Sequence, residues 1–186
     1  MPATHRVFFA IDLSPQLKTE LMVYQDRIST FSATRIKPDN FHITLSFLGS
    51  ISERKVEHLL EQMTSFQLSP FEISIGELIY FSKPQVLALS IIDGLTELEK
   101  LKRRIEHRLK KIDHFDIEKR AYKPHISLYR NIEEPIQNIP EFKSQYRVDS
   151  FCLFESTQTR KSVQYSVIEE WKFSPVQSIK QQLIGD

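Results

Sequence analysis

Hydrophobic residues recur along the first half of the chain with the two periods that distinguish strands from helices. Between 7 and 11 they form a continuous apolar run, which is typical of a buried strand. From 17 to 28 they recur every three or four positions, which predicts an amphipathic helix that begins at Ser14-Pro15. The elements predicted for this half are a strand at 7–11, a helix at 14–28, a strand at 40–48 that Gly49 terminates, a helix at 50–66 that a Ser50/Glu53 capping box opens, and one or two strands at 71–81.

The second half of the chain follows the same plan. Its apolar positions predict a strand at 86–92, a helix at 93–112, and strands at 123–130, 148–154 and 165–173, with a polar loop at 155–164. Val7 precedes His42 by 35 residues and Val86 precedes His125 by 39, so a strand–helix–strand unit of similar length occurs twice. We interpret this as an internal duplication within an α+β fold whose sheets are antiparallel or mixed.

Composition narrows the class of protein. The 186 residues, 40% of them hydrophobic, suit a single domain spanning 1–186 and exclude a disordered chain. Four scattered glycines exclude a P-loop and a dinucleotide-binding turn, and a lone cysteine, Cys152, excludes an intrachain disulfide and multi-cysteine zinc sites. Prolines at 135 and 140 mark an irregular stretch and not a linker. The N-terminal apolar run is too short for a signal peptide or a membrane span, so we expect a cytoplasmic protein.

The distribution of charge is more informative than its total. A net charge of +1 by itself favours a small neutral substrate. Residues 100–130, however, hold eleven Lys/Arg against four Asp/Glu. The simplest interpretation of this basic segment is the solvent-exposed face of a helix, but it leads into His125 and could attract a polyanion.

Two matching tetrapeptides carry the candidate chemistry, His42-Ile43-Thr44-Leu45 and His125-Ile126-Ser127-Leu128. Since alternate side chains of a strand share a face, each histidine points with the hydroxyl two residues later, and the aliphatic residues anchor the opposite face. A lone histidine on a half-buried strand is usually structural, but two copies at matching places of a duplicated plan favour a function. Metal binding is disfavoured, because each tetrapeptide offers one good ligand without an acidic residue or cysteine at ligand spacing.

Two imidazoles that face each other suit the in-line cleavage of a phosphodiester. One imidazole takes a proton from the attacking water, and the other gives a proton to the departing ribose oxygen. The hydroxyls of Thr44 and Ser127 can donate to the non-bridging oxygens, and this arrangement requires neither a metal nor another cofactor. The residues alone do not distinguish the acid from the base, because the two halves are nearly symmetric.

In its motifs the sequence resembles the 2H phosphoesterases, and among them the bacterial RNA 2′,3′-cyclic phosphodiesterases, formerly called 2′-5′ RNA ligases. The resemblance spans nearly the whole chain and is strongest at 6–12, 40–49 and 124–130. It implies a bilobed fold with pseudo-two-fold symmetry, in which each lobe is a sheet with helices packed outside and a central cleft holds both motifs. It also implies hydrolysis of a terminal 2′,3′-cyclic phosphate to a 2′-phosphomonoester, with His42 as proton donor and His125 as proton acceptor.

The sequence departs from the family pattern at two places. Ser127 stands where threonine is common, which keeps the hydroxyl but loses the methyl group that stiffens the rotamer. The loop at 159–162 lacks a glycine that is often found there. We expect the first change to preserve function, and the second removes the basis for assigning a substrate contact to this loop.

Two further residues are candidates for binding substrate. Arg130 matches a family arginine, and its guanidinium suits a phosphate, although strict alternation from His125 places it on the opposite face unless a bulge intervenes. Its alternative role is a surface ion pair. Phe9 is a candidate for stacking on a base, and its alternative is a core phenylalanine.

The leading hypothesis is a metal-independent cyclic phosphodiesterase that acts on RNA with cyclic phosphate ends or on small cyclic nucleotides, without a membrane or an obligate protein partner. The same acid and base used in reverse would perform reversible 2′-5′ RNA ligation, but water at high concentration favours hydrolysis. A non-catalytic RNA-binding module is the alternative from another class. Intact histidines and hydroxyls in both motifs argue against it.

Overall fold

The computed structural model of the chain is an α+β fold built on two sheets, as the sequence predicts. It describes residues 3–28, 33–64, 66–113, 115, 117, 120–133, 140–160 and 162–174. The strands are β1 Thr4–Asp12, β2 Thr34–Arg35, β3 His42–Ser52, β4 Phe66–Gln67, β5 Phe71–Phe81, β6 Val86–Asp93, β7 His125–Arg130, β8 Ser144–Val148, β9 Ser150–Gln158 and β10 Val163–Ser174. The helices are α1 Pro15–Asp26, α2 Glu53–Gln62 and α3 Leu95–Ile112, with one 3₁₀ turn at Pro38–Asn40.

The two sheets have related strand orders. The first sheet runs β3-β1-β9-β10-β4 and the second runs β2-β7-β6-β5-β8. In each sheet the strand that opens the duplicated unit pairs antiparallel with the motif strand that closes it, β1 with β3 and β6 with β7. The predicted bilobed, duplicated architecture is therefore confirmed, with one mixed sheet, since β4 pairs parallel with β10, and one antiparallel sheet.

The helices of the two units exchange lobes. Helix α1 follows β1 of the first sheet but packs on the second sheet, where Gln25 Nε2 donates to Leu128 O at 2.7 Å and Tyr129 Oη donates to Gln25 O at 2.9 Å. Helix α3 connects two strands of the second sheet but lies against β3, and Arg104 donates to Gln67 O in β4. Each lobe is thus completed by a helix from the other half.

Several element boundaries differ from the predictions because polar residues occupy strands that extend beyond the core. Strand β3 does not end at Gly49 but continues to Ser52 through a positive φ of 73° at that glycine. Ser52, and not Ser50, precedes α2, so the predicted capping box is wrong. Most of the predicted polar loop at 155–164 belongs to β9 and β10, and β8 was not predicted.

Some expectations concern residues outside the described part of the chain, among them Pro135 in the irregular stretch and Lys161 in the 159–162 loop. Within the described ranges, no helix is long and apolar enough to cross a membrane.

The exchange of helices predicts that both lobes unfold together, as a single domain spanning 1–186. Gln25 in α1 is fully buried, and its amide binds two backbone carbonyls and Arg35 Nε. Gln25→Ala should lower the free energy of unfolding by about 1–3 kcal/mol, because these buried groups lose their partner.

Guanidinium titrations followed by circular dichroism and by fluorescence of Trp171, the one tryptophan, in β10 of the first sheet, test this prediction. In Gln25→Ala the unfolding midpoints from both signals should fall to the same lower guanidinium concentration. Gln16→Ala, at an exposed site on the same helix, should leave both midpoints unchanged. A shift in circular dichroism that leaves the Trp171 transition in place would mean that the lobes unfold separately.

Candidate active site

The two motif strands present their side chains as the alternation predicts. In β3 the side chains of Ile43 and Leu45 are buried in the core, and in β7 the same holds for Ile126 and Leu128. The histidines and hydroxyls of both motifs point to the opposite face and are half-buried. The core therefore fixes both motif strands rigidly from behind.

Each motif histidine is held by a backbone carbonyl two residues earlier. His42 Nδ1 lies 2.7 Å from Asn40 O, and His125 Nδ1 lies 2.7 Å from Lys123 O. A carbonyl oxygen can only accept a hydrogen bond, so Nδ1 carries a proton in both rings. The Nε2 atom of each ring is therefore left to exchange protons with a substrate.

The structure brings the two motifs into one cleft. Strands β3 and β7 adjoin where the two sheets meet, and Thr44 and His125 line the same cavity of about 670 Å³. Tyr122 Oη donates to Thr44 O at 3.1 Å, which ties the segment before the second motif to the strand of the first. Thr44 Oγ1 also lies 3.0 Å from His42 Nε2 and donates to it while the ring is neutral.

Burial lowers the pKa of both histidines. Desolvation lowers the pKa of His42 from 6.5 to about 4, and the positive charges of His125 and Arg130 add to this effect. The Asn40 carbonyl and Asp12 oppose it. Desolvation and the charge of Arg130 also lower the pKa of His125. Both rings and the guanidinium thus lie near enough to one another to interact electrostatically.

Arg130 reaches the cleft side through a β-bulge. The register between β6 and β7 shifts at Leu87/Ala88, so that the neighbours Leu128 and Tyr129 are both buried. This break in alternation returns Arg130 to the face of the histidines. Among the described residues its guanidinium forms no ion pair, so the alternative role in a surface ion pair is not observed.

Phe9 does not face the cleft, and its candidate role in base stacking is wrong. Its side chain is 0% exposed and packs against the rings of Phe151 and Trp171 at 5.9 and 5.7 Å. The preceding residue, Phe8, points to the other side of β1, where its ring lies 5.1 Å from that of His42. Both faces of β1 are apolar, so its sequence offered no polar alternation to tell them apart.

The aromatic rings that pack around the two motif histidines were not predicted from the sequence. Tyr165 meets the ring of His42 edge-on at 5.1 Å, Phe154 lies 6.1 Å from it, and Phe81 lies 4.8 Å from His125. These rings come from β10, β9 and β5, which are distant in sequence from either motif. They exclude water from the imidazoles and thereby account for the desolvation.

Asn40 is a second residue that was missed. Its side chain donates to Val163 O at 2.8 Å and accepts from Tyr165 N at 3.2 Å, while its own carbonyl holds His42. One asparagine thus fixes the first histidine relative to β10. The only sequence signal was its position two residues before the motif.

The sulfur and acidic groups of the described residues are not arranged for metal chemistry. No group of three or more His, Cys, Asp or Glu side chains is clustered within the described ranges. Cys152 packs beneath the cleft with Phe8, Ala10 and Phe154, and burial raises the pKa of its thiol to about 12. It is therefore a packing residue.

Three comparisons with known proteins agree with this geometry. A family profile described as LigT-like phosphoesterase matches residues 11–88. The RNA 2′,3′-cyclic phosphodiesterase of Methanocaldococcus jannaschii is 26% identical over 176 residues, covering 89% of this chain and 99% of that protein. The enzyme of the same name from Thermotoga maritima is 28% identical over 185 residues, covering 90% and 95%.

A crystal structure of Escherichia coli LigT in complex with 3′-AMP has the same fold. It superposes with a TM-score of 0.82 at 24% identity, covering 92% of this chain and 99% of LigT. In its paired motifs, its exchanged helices and these comparisons the chain is similar to the LigT-like phosphoesterases.

Proposed function

We propose that this protein hydrolyses the 2′,3′-cyclic phosphate ends of RNA, or small 2′,3′-cyclic nucleotides, to 2′-phosphomonoesters. One observation carries the proposal: two strand-borne imidazoles interact electrostatically, and Nδ1 of each is bound to a backbone carbonyl, so that proton transfer falls to Nε2. The names of the relatives, RNA 2′,3′-cyclic phosphodiesterases, support the substrate class. We place the reaction in the cytoplasm, without an obligate protein partner.

In the reaction, His125 Nε2 takes a proton from water while the water oxygen bonds to phosphorus. The bond from phosphorus to the 3′ oxygen breaks, and that oxygen receives the proton of His42 Nε2. The phosphate stays on the 2′ oxygen. Thr44, Ser127 and Arg130 stabilise the non-bridging oxygens. The same groups used in reverse would ligate, but water is the more abundant nucleophile.

A bound substrate changes the protonation state of His42. In the free enzyme its pKa of about 4 means that the ring is neutral at pH 7. The negative charge of a phosphodiester favours the imidazolium and raises this pKa. Once protonated, Nε2 no longer accepts from Thr44 Oγ1, so the hydroxyl hydrogen turns away from the ring and becomes available to the phosphate, and the Nε2 proton is left for the 3′ oxygen.

Removing either motif histidine should abolish most of the activity. His42→Ala and His125→Ala should each lower kcat about 10²- to 10⁴-fold, because each deletes one proton-transfer group. The assay uses 2′,3′-cyclic AMP in EDTA and separates 2′-AMP from 3′-AMP by chromatography. His107→Ala, an exposed histidine of α3, is the matched control.

Near-wild-type turnover in either motif variant would contradict the two-histidine mechanism. Loss of wild-type activity in EDTA would contradict its independence of metal, and 3′-AMP as the product would show that the assigned leaving oxygen is wrong.

The lowered pKa values predict an acidic optimum. The pH profile of kcat/KM should be bell-shaped with its maximum on the acid side of 6.5, the ordinary histidine pKa, because it reports the histidines of the free enzyme, and both of their pKa values are lowered. The alkaline limb of the kcat profile should lie at higher pH than that of the kcat/KM profile, since bound substrate raises the pKa of His42. A profile that is flat from pH 5 to 9 would exclude these groups.

Arg130→Gln should move the whole kcat/KM bell to higher pH. The arginine's positive charge lowers the pKa of both histidines, so its removal raises both values. KM should also rise, because a phosphate contact is lost. Arg147→Gln, an exposed arginine of β8, should change neither quantity. If Arg130→Gln raises KM at every pH without moving the limbs, the arginine is remote from the imidazoles.

A further inference from the structure

A carboxylate lies across the strand pair from the histidine of the first motif. Asp12, the last residue of β1, is paired with His42 of β3 in the antiparallel register. Ala10, two residues earlier, belongs to the apolar cluster beneath the cleft. Since alternate residues of a strand share a face, Asp12 points with Ala10 and therefore with His42. Directly opposed residues of antiparallel strands have their Cβ atoms about 4.5–5.5 Å apart, so the two side chains are neighbours.

Lys18 forms an ion pair with the carboxylate of Asp12. The chain turns from β1 into α1 at Ser14, whose side chain caps the helix by accepting from Leu17 N at 3.3 Å. One turn into the helix, Lys18 Nζ donates to Asp12 Oδ1 at 2.6 Å. Tyr146 of β8 donates to Asp12 O at 3.0 Å and holds the end of β1 in place. The Lys18 side chain is only 18% exposed, so solvent and salt screen this pair less than a fully exposed one.

The charge of Asp12 acts on His42 against two positive charges. His125 and Arg130, both in β7, lower the pKa of His42, whereas the carboxylate of Asp12 raises it. Burial has the largest effect, and the pKa falls to about 4. Asp12 is therefore a charged neighbour that favours the protonated form of a histidine otherwise kept neutral.

Strands β9 and β10 bring further titratable groups to this face of the sheet. Burial raises the pKa of the Cys152 thiol to about 12, so it carries no charge at neutral pH. Tyr165 meets the ring of His42 edge-on. Glu170 is paired with Cys152 in the β9–β10 register. In the order of the sheet, three strand spacings of about 4.8 Å separate Glu170 from β3, which exceeds a Debye length of about 8 Å.

The proposed reaction needs His42 in its protonated form, and the cleft disfavours that form. We propose that the Asp12–Lys18 ion pair sets how readily His42 becomes the imidazolium: Asp12 favours the charged ring, and Lys18 limits this effect by neutralising part of the carboxylate's charge. Both act through His42 and are positioning residues, not catalytic ones. The consequence for catalysis rests on the proposed function.

An ion pair that merely fastened α1 to β1 would behave differently. Loss of either partner would then remove the same interaction, and the two variants would resemble each other. A pair that tunes His42 predicts effects of opposite sign. Asp12→Asn removes the negative charge and leaves the lysine near the ring, whereas Lys18→Met keeps the apolar stem and leaves the carboxylate without its counter-charge.

The test measures the pKa of His42 by NMR titration of its ring protons, which are assigned by comparison with His42→Ala. Asp12→Asn should lower this pKa and Lys18→Met should raise it, so that the imidazolium fraction at pH 7 falls or rises about two- to fivefold. The double variant should lie between the two single variants. Glu170→Gln, which removes the more distant carboxylate of the same face, should leave the pKa unchanged.

Activity gives a second readout. At pH 7, kcat/KM follows the fraction of free enzyme in which His42 is protonated, so Asp12→Asn should lower kcat/KM for 2′,3′-cyclic AMP and Lys18→Met should raise it. These changes should be smaller than those in the imidazolium fraction, because an imidazolium of lower pKa is the stronger proton donor.

The outcomes separate this inference from the function on which its consequence rests. Shifts of the same sign in both single variants, or no shift in either, would overturn the inference and make the ion pair structural. If Asp12→Asn does not fold, Lys18→Met decides alone, since a structural pair gives no reason for the pKa of His42 to rise. Opposite shifts in a protein that hydrolyses no cyclic phosphate would confirm the tuning of His42 and overturn the proposed function.

Discussion

The chemistry of the cleft depends on one short hydrogen bond that occurs twice, from imidazole Nδ1 to the carbonyl two residues earlier. It decides which nitrogen carries the proton and how each ring is oriented. Because the acceptor belongs to the backbone, any residue type at 40 or 123 supplies it, provided that the chain bends sharply into the strand. The buried Ile43 and Ile126 hold that bend in place from behind. The catalytic geometry is therefore set by the residues that lead into the two motif strands and by the core beneath them.

The two halves share this bond but differ in what surrounds it. Three aromatic rings enclose His42, whereas in the part of the chain that the structure describes only the ring of Phe81 lies against His125. Five residues after each histidine, a bulge turns the chain back to the cleft, and there the first half has Phe47 and the second has Arg130. An imidazolium with a lowered pKa is the stronger proton donor, at the cost of being protonated less often. The more strongly desolvated environment of His42 thus suits a general acid that becomes protonated only when the substrate binds.

The sequence could predict what depends on local periodicity and failed where long-range packing decides. The faces of both motifs and the start of α1 at Ser14-Pro15 follow from spacing alone. The bulge before Arg130 leaves no local signal, because two adjacent buried residues occur in many strands. Phe9 was misplaced because β1 is apolar on both faces, one in the core and one beneath the cleft. Asn40 acts through its contacts with β10, and only the tertiary structure brings β10 next to Asn40.

The exchange of helices also limits how the molecule can move. A hinge between the lobes would have to pull α1 off the second sheet or α3 off the first, and so expose the core of the lobe that it left. The distance between the two imidazoles is thus set when the chain folds and not when a substrate arrives. In-line cleavage needs its two proton-transfer groups at a fixed separation across phosphorus, and a cleft whose width is set by folding spends no binding energy on closing. The exchange of helices, in this protein, takes the place of a lid.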